Sequence, residues 1–202
     1  MRAITLPDDE PLLDRFYADV YLPAFAHQRE PLETWKQRLA GGPYDLTIAI
    51  EHEDGAPIAG VAFEHYRESR TGLITYGVVA PHARRRGLGR ALIDHAVESL
   101  RGRGATLVLG ELHDPAKGGD PGRLARFRRW GARVVDVPYV QPDLGFGRDR
   151  ELLLIAFHPR QGPIAGLAAF FHEFFRHNEG GDPSGEEIAA LLASCQDPVT
   201  AR

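Results

Sequence analysis

Apolar residues first recur at three- and four-residue spacing: Leu12, Leu13, Phe16, Tyr17 and Val20, behind Asp8 and Asp9. That period, with an acidic first turn and an N-cap residue, predicts an amphipathic helix that Pro23 ends or kinks. Residues 1–6 read as a short strand before it. A second short helix is predicted over 31–40, with Leu32, Trp35 and Leu39 on one side and Gly41-Gly42 as its stop. The pattern then changes to strands at 46–51, 58–66 and 73–79, separated by turns at Glu53-Asp54-Gly55 and at 69–72. After a loop at 81–86, Leu88, Leu92, Ala96, Val97 and Leu100 mark one helix face that runs to Arg101, closed by Gly102 and Gly104. A buried strand at 106–112, a helix at 124–130 and strands at 134–137 and 152–157 follow, the last two joined by 138–150. From Gly162 two helices are expected, broken by Gly180-Gly181-Asp182-Pro183. This order predicts an α/β (α+β) domain with a mixed sheet.

Composition narrows the class. The 202 residues suit one domain with at most a small appendage, and 43% apolar with 26% charged residues is ordinary for a soluble globular protein. Lys+Arg 24 against Asp+Glu 28 gives a formal charge of −4, which argues against a dedicated nucleic-acid binder. The basic side is nearly all arginine, since only Lys36 and Lys117 are lysines. A single Cys195 excludes an intrachain disulfide and a cysteine zinc cluster, and it fits a reducing compartment. No apolar run approaches the roughly 18 residues of a membrane helix, and the start of the chain is acidic rather than signal-like. A cytoplasmic protein without a membrane or nucleic-acid partner is expected.

The chemistry concentrates in Val78-Val79-Ala80-Pro81-His82-Ala83-Arg84-Arg85-Arg86-Gly87-Leu88-Gly89-Arg90-Ala91-Leu92. Two glycines lie between a strand and the first turn of a helix. The first four N–H groups of a helix lack intrahelical partners, and the macrodipole places partial positive charge there. Absence of side chains at Gly87 and Gly89 opens those groups to an anion, and three loop arginines add bidentate donors for phosphate oxygens. A phosphate or pyrophosphate site follows. A P-loop would need Gly-Lys-Ser/Thr after the turn, where Gly89-Arg90-Ala91 stands. A dinucleotide fingerprint would need Gly or Ala where Leu92 stands.

Arg84-x-x-Gly87-x-Gly89, preceded by Val79-x-Pro81 at a strand end, resembles the acyl-CoA signature of the GNAT superfamily of N-acyltransferases. The resemblance spans roughly residues 1–158, including the order of elements. It implies a central mixed, mostly antiparallel sheet flanked by helices over 1–158, with 159–202 as a C-terminal helical extension. It also implies that Val78 and Val79 contact pantetheine, and that Arg84, Arg85, Arg86, Gly87, Leu88, Gly89 and Arg90 hold the pyrophosphate of acetyl-CoA. Gly77 stands where the family strand usually bulges. The sequence departs from the family at Phe127, where a tyrosine often protonates the departing thiolate, and at Leu73 and Thr75, where a strand carboxylate is common.

An amine acceptor is protonated at neutral pH, with a lysine-like pKa of about 10.4, so transfer needs a base. Glu111, near the end of the strand at 106–112, is the first candidate. His113, two residues on, shares its face while the chain stays extended. Glu64 and His65 are weaker candidates. Tyr139, between Pro138 and Pro142 in a loop that presents side chains, is the candidate proton donor replacing the missing tyrosine. His172-Glu173 fails the zincin pattern because His177 comes five residues after His172, so no metal site is expected. Phe170, Phe171, Phe174 and Phe175 form a docking stripe, within the core or against a second copy in a homodimer. Arg123, Arg126, Arg128, Arg129 and Arg133 make a basic face, solvated or serving the CoA 3′-phosphate or an acidic partner. The function expected is acyl transfer from acyl-CoA to a small-molecule or peptide amine by direct attack in a ternary complex. The competing class is an acyl-CoA sensor or interaction module of the same fold without turnover.

Overall fold

The structure, a computed structural model, describes residues 1–25, 30–42, 44–157, 166–181 and 183–195. The expected domain boundary at 158/159, the expected linker position Asp182, and the two ends of the expected extension (159–165 and 196–202) lie outside the described residues. The described elements make a mixed α/β fold of seven strands, mostly antiparallel, flanked by helices. The chain divides into two compact units, residues 1–65 with 74–103 and residues 66–73 with 104–202.

In the first unit, β1 (Arg2–Ala3), β2 (Asp45–Glu53), β3 (Ala56–Tyr66) and β4 (Thr71–Val79) are neighbours in that order. β1 pairs antiparallel with β2, and β2 with β3, with Ile48 opposite Ala62 and Ile50 opposite Gly60. β3 is buried along almost its whole length because both of its faces are covered. Gly60, Ala62 and Glu64 face α1 (Glu10–Phe16) and α3 (Leu32–Ala40). A Cβ at Gly60 would stand 2.4 Å from the Phe16 ring, so the absent side chain is what admits that ring. Phe63, on the other face, meets His95 of α4 (Leu88–Gly102), whose buried stripe is Leu92, Ile93, Ala96, Val97 and Leu100. Four of these were expected from the sequence; Ile93 joins them, and Leu88, also expected, is only half-buried.

The first expected helix differs in one respect. α1 stops at Phe16, the turn Tyr17–Tyr21 widens into a π-helix, and α2 (Leu22–Ala24) ends the run. Pro23 has no N–H to offer four residues back, and its ring crowds the carbonyl there. A widened turn upstream accommodates both. Asp9 sits at the N-cap position of α1, but its carboxylate accepts from Thr5 N at 2.9 Å and pairs with Arg2 instead of capping the helix.

In the second unit the strand order is β5 (Leu107–His113), β7 (Leu152–Phe157), β6 (Ala132–Val134), antiparallel throughout. α5 (Pro121–Arg129) begins earlier than the apolar pattern indicates. Asp120 caps it by accepting from Gly122 N at 2.8 Å, and Pro121 occupies its first turn. β6 is displaced from the expected 134–137. Gly131, at φ +89, turns the chain straight into the ladder, which it leaves after Val135 N donates to Leu154 O. The Phe stripe of α6 (Leu167–Glu179) is core: Phe170, Phe171, Phe174 and Phe175 are all buried, with Tyr66 edge-on to Phe170 and Phe174. The docking partner is therefore this chain itself. α7 (Glu186–Ser194) buries Ile188 and Leu191.

Candidate functional site

The glycine loop of the first unit has the expected strand–loop–helix form. β4 ends at Val79, residues Pro81–Ala83 make one 3-10 turn, and α4 starts at Leu88. Gly87 caps α4 in the left-handed conformation, at φ +82, and no side chain caps the helix end. A Cβ there would meet nothing within 4 Å, so backbone conformation is what calls for glycine at this position. These features fit a phosphate group on the helix terminus. Val78 is buried and Val79 half-buried.

The loop arginines have specific partners. Arg84 Nε donates to Val79 O at 3.3 Å, bracing the loop on its own strand. Arg86 forms a two-pronged bridge to Glu53 in the β2–β3 hairpin, at 2.7 and 2.9 Å, and this pair holds the Glu53 carboxyl below its ordinary range. Arg90 pairs with Asp94 one turn along α4 at 3.2 Å. Arg85 sits at φ +64, a left-handed conformation uncommon for a side-chain-bearing residue.

The same unit contains a polar network that the sequence reading did not find. Glu30 is buried, and its carboxylate accepts from Trp35 Nε1 at 3.0 Å and from Arg38 at 2.5 Å. Tyr17 donates to Glu30 O, and Glu30 N donates to Tyr21. Tyr21, Phe25, Trp35 and Tyr76 stack or meet edge-on around it, with centroids 4.4–5.8 Å apart. Burial pushes Tyr21 up to about 12 and Tyr76 well above the usual phenol range. Glu64 belongs to this network, 3.9 Å from Arg38, and is buried rather than at a solvated strand end. His65 lies 3.8 Å from Asp45.

In the second unit the structure brings together two of the residues singled out by sequence. Tyr139 donates its hydroxyl hydrogen to Glu111 Oε1, and Gln141 Nε2 donates to Glu111 Oε2 at 2.9 Å. Both carboxylate oxygens are thus oriented. Burial is the largest influence on Glu111 and pushes its carboxyl up to about 7, helped by the negative charge of Asp149. The two hydrogen bonds oppose that shift without cancelling it. Tyr139 is held well above its ordinary range, first by burial and then by the neighbouring carboxylate. Gln141 was missed as a partner. Its signal was present, since Tyr139 and Gln141 are two residues apart and therefore point the same way in an extended segment. His113 is exposed at the end of β5. Gly119 folds so closely over it that a Cβ would stand 2.2 Å from His113 O.

Phe127 packs between Trp130 and Phe157, at 5.4 and 5.8 Å, with the Arg123 guanidinium 6.0 Å from its ring centre. Arg126, Arg128, Arg129 and Arg133 are exposed, and Arg123 is half-buried. Among the described residues no group of acids, histidines and cysteine is placed to hold a metal ion, and no helix is long and apolar enough to cross a membrane.

Comparison with known proteins agrees with this architecture. A protein from Bacteroides thetaiotaomicron assigned to the GNAT family superposes with a TM-score of 0.61 at 17% identity, covering 80% of this chain and 89% of that one. The ribosomal-protein-alanine N-acetyltransferase of Brucella melitensis gives 0.56 at 19% identity, covering 77% and 98%. The ribosomal-protein-S18-alanine N-acetyltransferase of Escherichia coli gives 0.52 at 18%, covering 77% and 92%. At such identities these likenesses speak for the fold. No curated protein matches the sequence. A model of the Acetyltransferase (GNAT) family matches residues 11–117, which take in β2 to β4, the glycine loop, α4 and β5. The chain belongs to the GNAT acetyltransferase family.

Proposed function

We propose that the protein transfers an acyl group, acetyl in the simplest case, from acyl-CoA to a primary amine by direct attack in a ternary complex. The observation that carries the reading is Glu111, a carboxyl oriented on both oxygens and pushed up to about 7. A base of that strength is half ionised near neutrality and strong enough to take a proton as the amine attacks. Family membership and the uncapped helix terminus at Gly87 support acyl-CoA as donor, with Arg84, Arg85, Arg86, Gly87, Leu88, Gly89 and Arg90 around the pyrophosphate and Val78 and Val79 along pantetheine. Acyl-CoA supplies the activated acyl carbon and a thiolate leaving group.

The amine attacks in its neutral form, its ammonium proton having gone to solvent; Glu111 removes a second proton from the nitrogen as the C–N bond forms, and the C–S bond then breaks. Tyr139 alone is a poor acid for a thiolate with an ordinary pKa of about 8.5, because its own is raised well above 10. Its hydrogen bond to Glu111 offers a way round this. As Tyr139 gives its hydrogen to the sulfur, protonated Glu111 replaces it, so the amine proton ends on the thiol. His113 assists at most from the rim. The acceptor is a small-molecule or peptide amine, and the site of action is the cytoplasm.

The sensor reading draws on one observation, Phe127 packed between aromatic rings where a proton donor is common. Calorimetry with acetyl-CoA followed by thiol release across an amine panel separates the two. Binding with release from at least one amine is the expected result, and binding with none across the panel refutes catalysis.

A further inference from the structure

Residues 138–150 form a long segment whose one ladder contact is an isolated bridge between Gln141 and Asp149. Segments of this length without regular structure are ordinarily mobile, and holding two side chains on one carboxylate costs conformational entropy. Yet both Tyr139 and Gln141 are placed on Glu111. Something outside the segment fixes it.

That something is the helical extension. Arg148 makes a fork on Glu179 of α6, with Nε at 2.8 Å from Oε1 and Nη2 at 2.6 Å from Oε2. Its remaining nitrogen reaches Ser184 O at 3.1 Å and Glu187 of α7 at 3.3 Å, and its guanidinium lies 5.4 Å from the Phe175 ring centre. Arg150 makes a second fork on Glu187 at 2.7 and 2.8 Å. Glu179 also accepts from Asp143 N at 2.9 Å, and Asp143 accepts from Gly145 N and Gly147 N, closing the tip on itself. The Tyr139 ring stands 5.9 Å from Phe171 of α6. Arg148 and Glu179 are about four-fifths shielded from water, so this pair is screened far less than a surface pair.

We propose that Arg148 is a positioning residue: through Glu179 and Glu187 it fastens the 138–150 segment to the C-terminal helices and so keeps Tyr139 and Gln141 on Glu111. The extension, outside the matched stretch 11–117, thereby becomes part of the catalytic machinery. This rests on Glu111 as base.

The test is a comparison of wild type with Arg148→Met and Arg148→Lys in the full chain. Glu111 ionisation is followed by carbon NMR of carboxyl-labelled glutamate, assigned with Glu111→Gln, beside the pH profile of kcat and the KM for acetyl-CoA. The groups facing Glu111 are Tyr139, Gln141 and Asp149, all on the fastened segment. Release of the segment removes burial together with both hydrogen bonds, and burial is the larger influence. The Glu111 midpoint therefore falls by at least one pH unit from about 7 toward 4.5 in Arg148→Met. The expected kcat loss is at least tenfold, with KM for acetyl-CoA unchanged and a smaller effect in Arg148→Lys, which keeps charge but loses the fork. A lowered Tm with the Glu111 midpoint unmoved overturns the proposal. A moved midpoint without a moved kcat profile upholds the positioning and refutes Glu111 as base. Should Arg148→Met not fold, Glu179→Gln, which leaves one oxygen where the Arg148 fork uses two, is read by the same midpoint and decides in the same way.

Discussion

Arg86 of the glycine loop and Glu53 of the β2–β3 hairpin grip each other through two hydrogen bonds at 2.7 and 2.9 Å, with both side chains about half exposed. The guanidinium that the sequence assigns to phosphate is thus already engaged by a carboxylate of its own unit. An exposed pair of this kind contributes little to stability. Glu53→Gln should therefore leave Tm nearly unchanged while tightening CoA binding several-fold, more at low salt than at high. Calorimetry at two ionic strengths checks this, and weaker binding in Glu53→Gln would show that Glu53 aims Arg86 rather than competing for it.

Gly89 stands in the first turn of α4, within the loop proposed to hold the pyrophosphate. Gly89→Val is expected to stay folded and lose about 2–4 kcal/mol of CoA affinity, the scale of a few charge-assisted hydrogen bonds. Unchanged affinity in the folded variant would remove the loop from the cofactor site.

The Glu111 carboxyl at about 7 predicts that activity rises with pH through that value as the base ionises. Glu111→Gln should lower turnover by roughly 10²–10⁴ with CoA binding intact, and His113→Ala should have the smaller effect. Tyr139→Phe removes a hydrogen bond that lowers the Glu111 pKa while leaving its burial, so the limb should move to higher pH. Stability changes in a matching sense. The folded pKa is raised above the unfolded value of about 4.5, so the fold favours the protonated form. The wild type should lose Tm relative to Glu111→Gln as pH climbs from about 4.5 to 7. Parallel Tm curves for the two proteins over that window would contradict the placement of Glu111.

Glu173 is buried, and its carboxylate accepts from Glu68 N at 3.2 Å and Ser69 N at 2.8 Å in the turn between β3 and β4. Glu173→Ala strands both donors and should cost about 2–4 kcal/mol in urea unfolding. Glu173→Gln keeps the shape and one acceptor oxygen and should cost less. Equal loss in the two variants would mean that packing, rather than the hydrogen bonds, is what Glu173 supplies.

Elements whose signal is local were legible in the sequence. The stripe of α4 and the run of β3 declare themselves because burial on one or both faces dictates residue type along the chain. Asp120-Pro121 was equally local, a cap and first turn that an apolar count overlooks. The pairing of Glu111 with Tyr139 could be anticipated from a strand-end acid and a proline-flanked tyrosine. The engagement of Arg86 could not, because Glu53 reaches it only once a hairpin has formed. Nor could the forks of Arg148 and Arg150, whose partners lie 31 to 39 positions away with no periodicity to relate them. The Glu30 network escaped for another reason. An acid among four aromatic residues reads as surface until the guanidinium of Arg38 and the indole of Trp35 are seen to satisfy it.

Ser69 and Glu68 receive their acceptor from a residue 104 and 105 positions later in the chain. During synthesis the hairpin between β3 and β4 can form early, since its strands are adjacent, but its turn keeps two unmet N–H groups until Glu173 has been made. Tyr66 likewise waits for Phe170 and Phe174. α6 therefore completes an early hairpin rather than adding to a finished body, and an interrupted nascent chain would expose that turn and ring to chaperones and proteases.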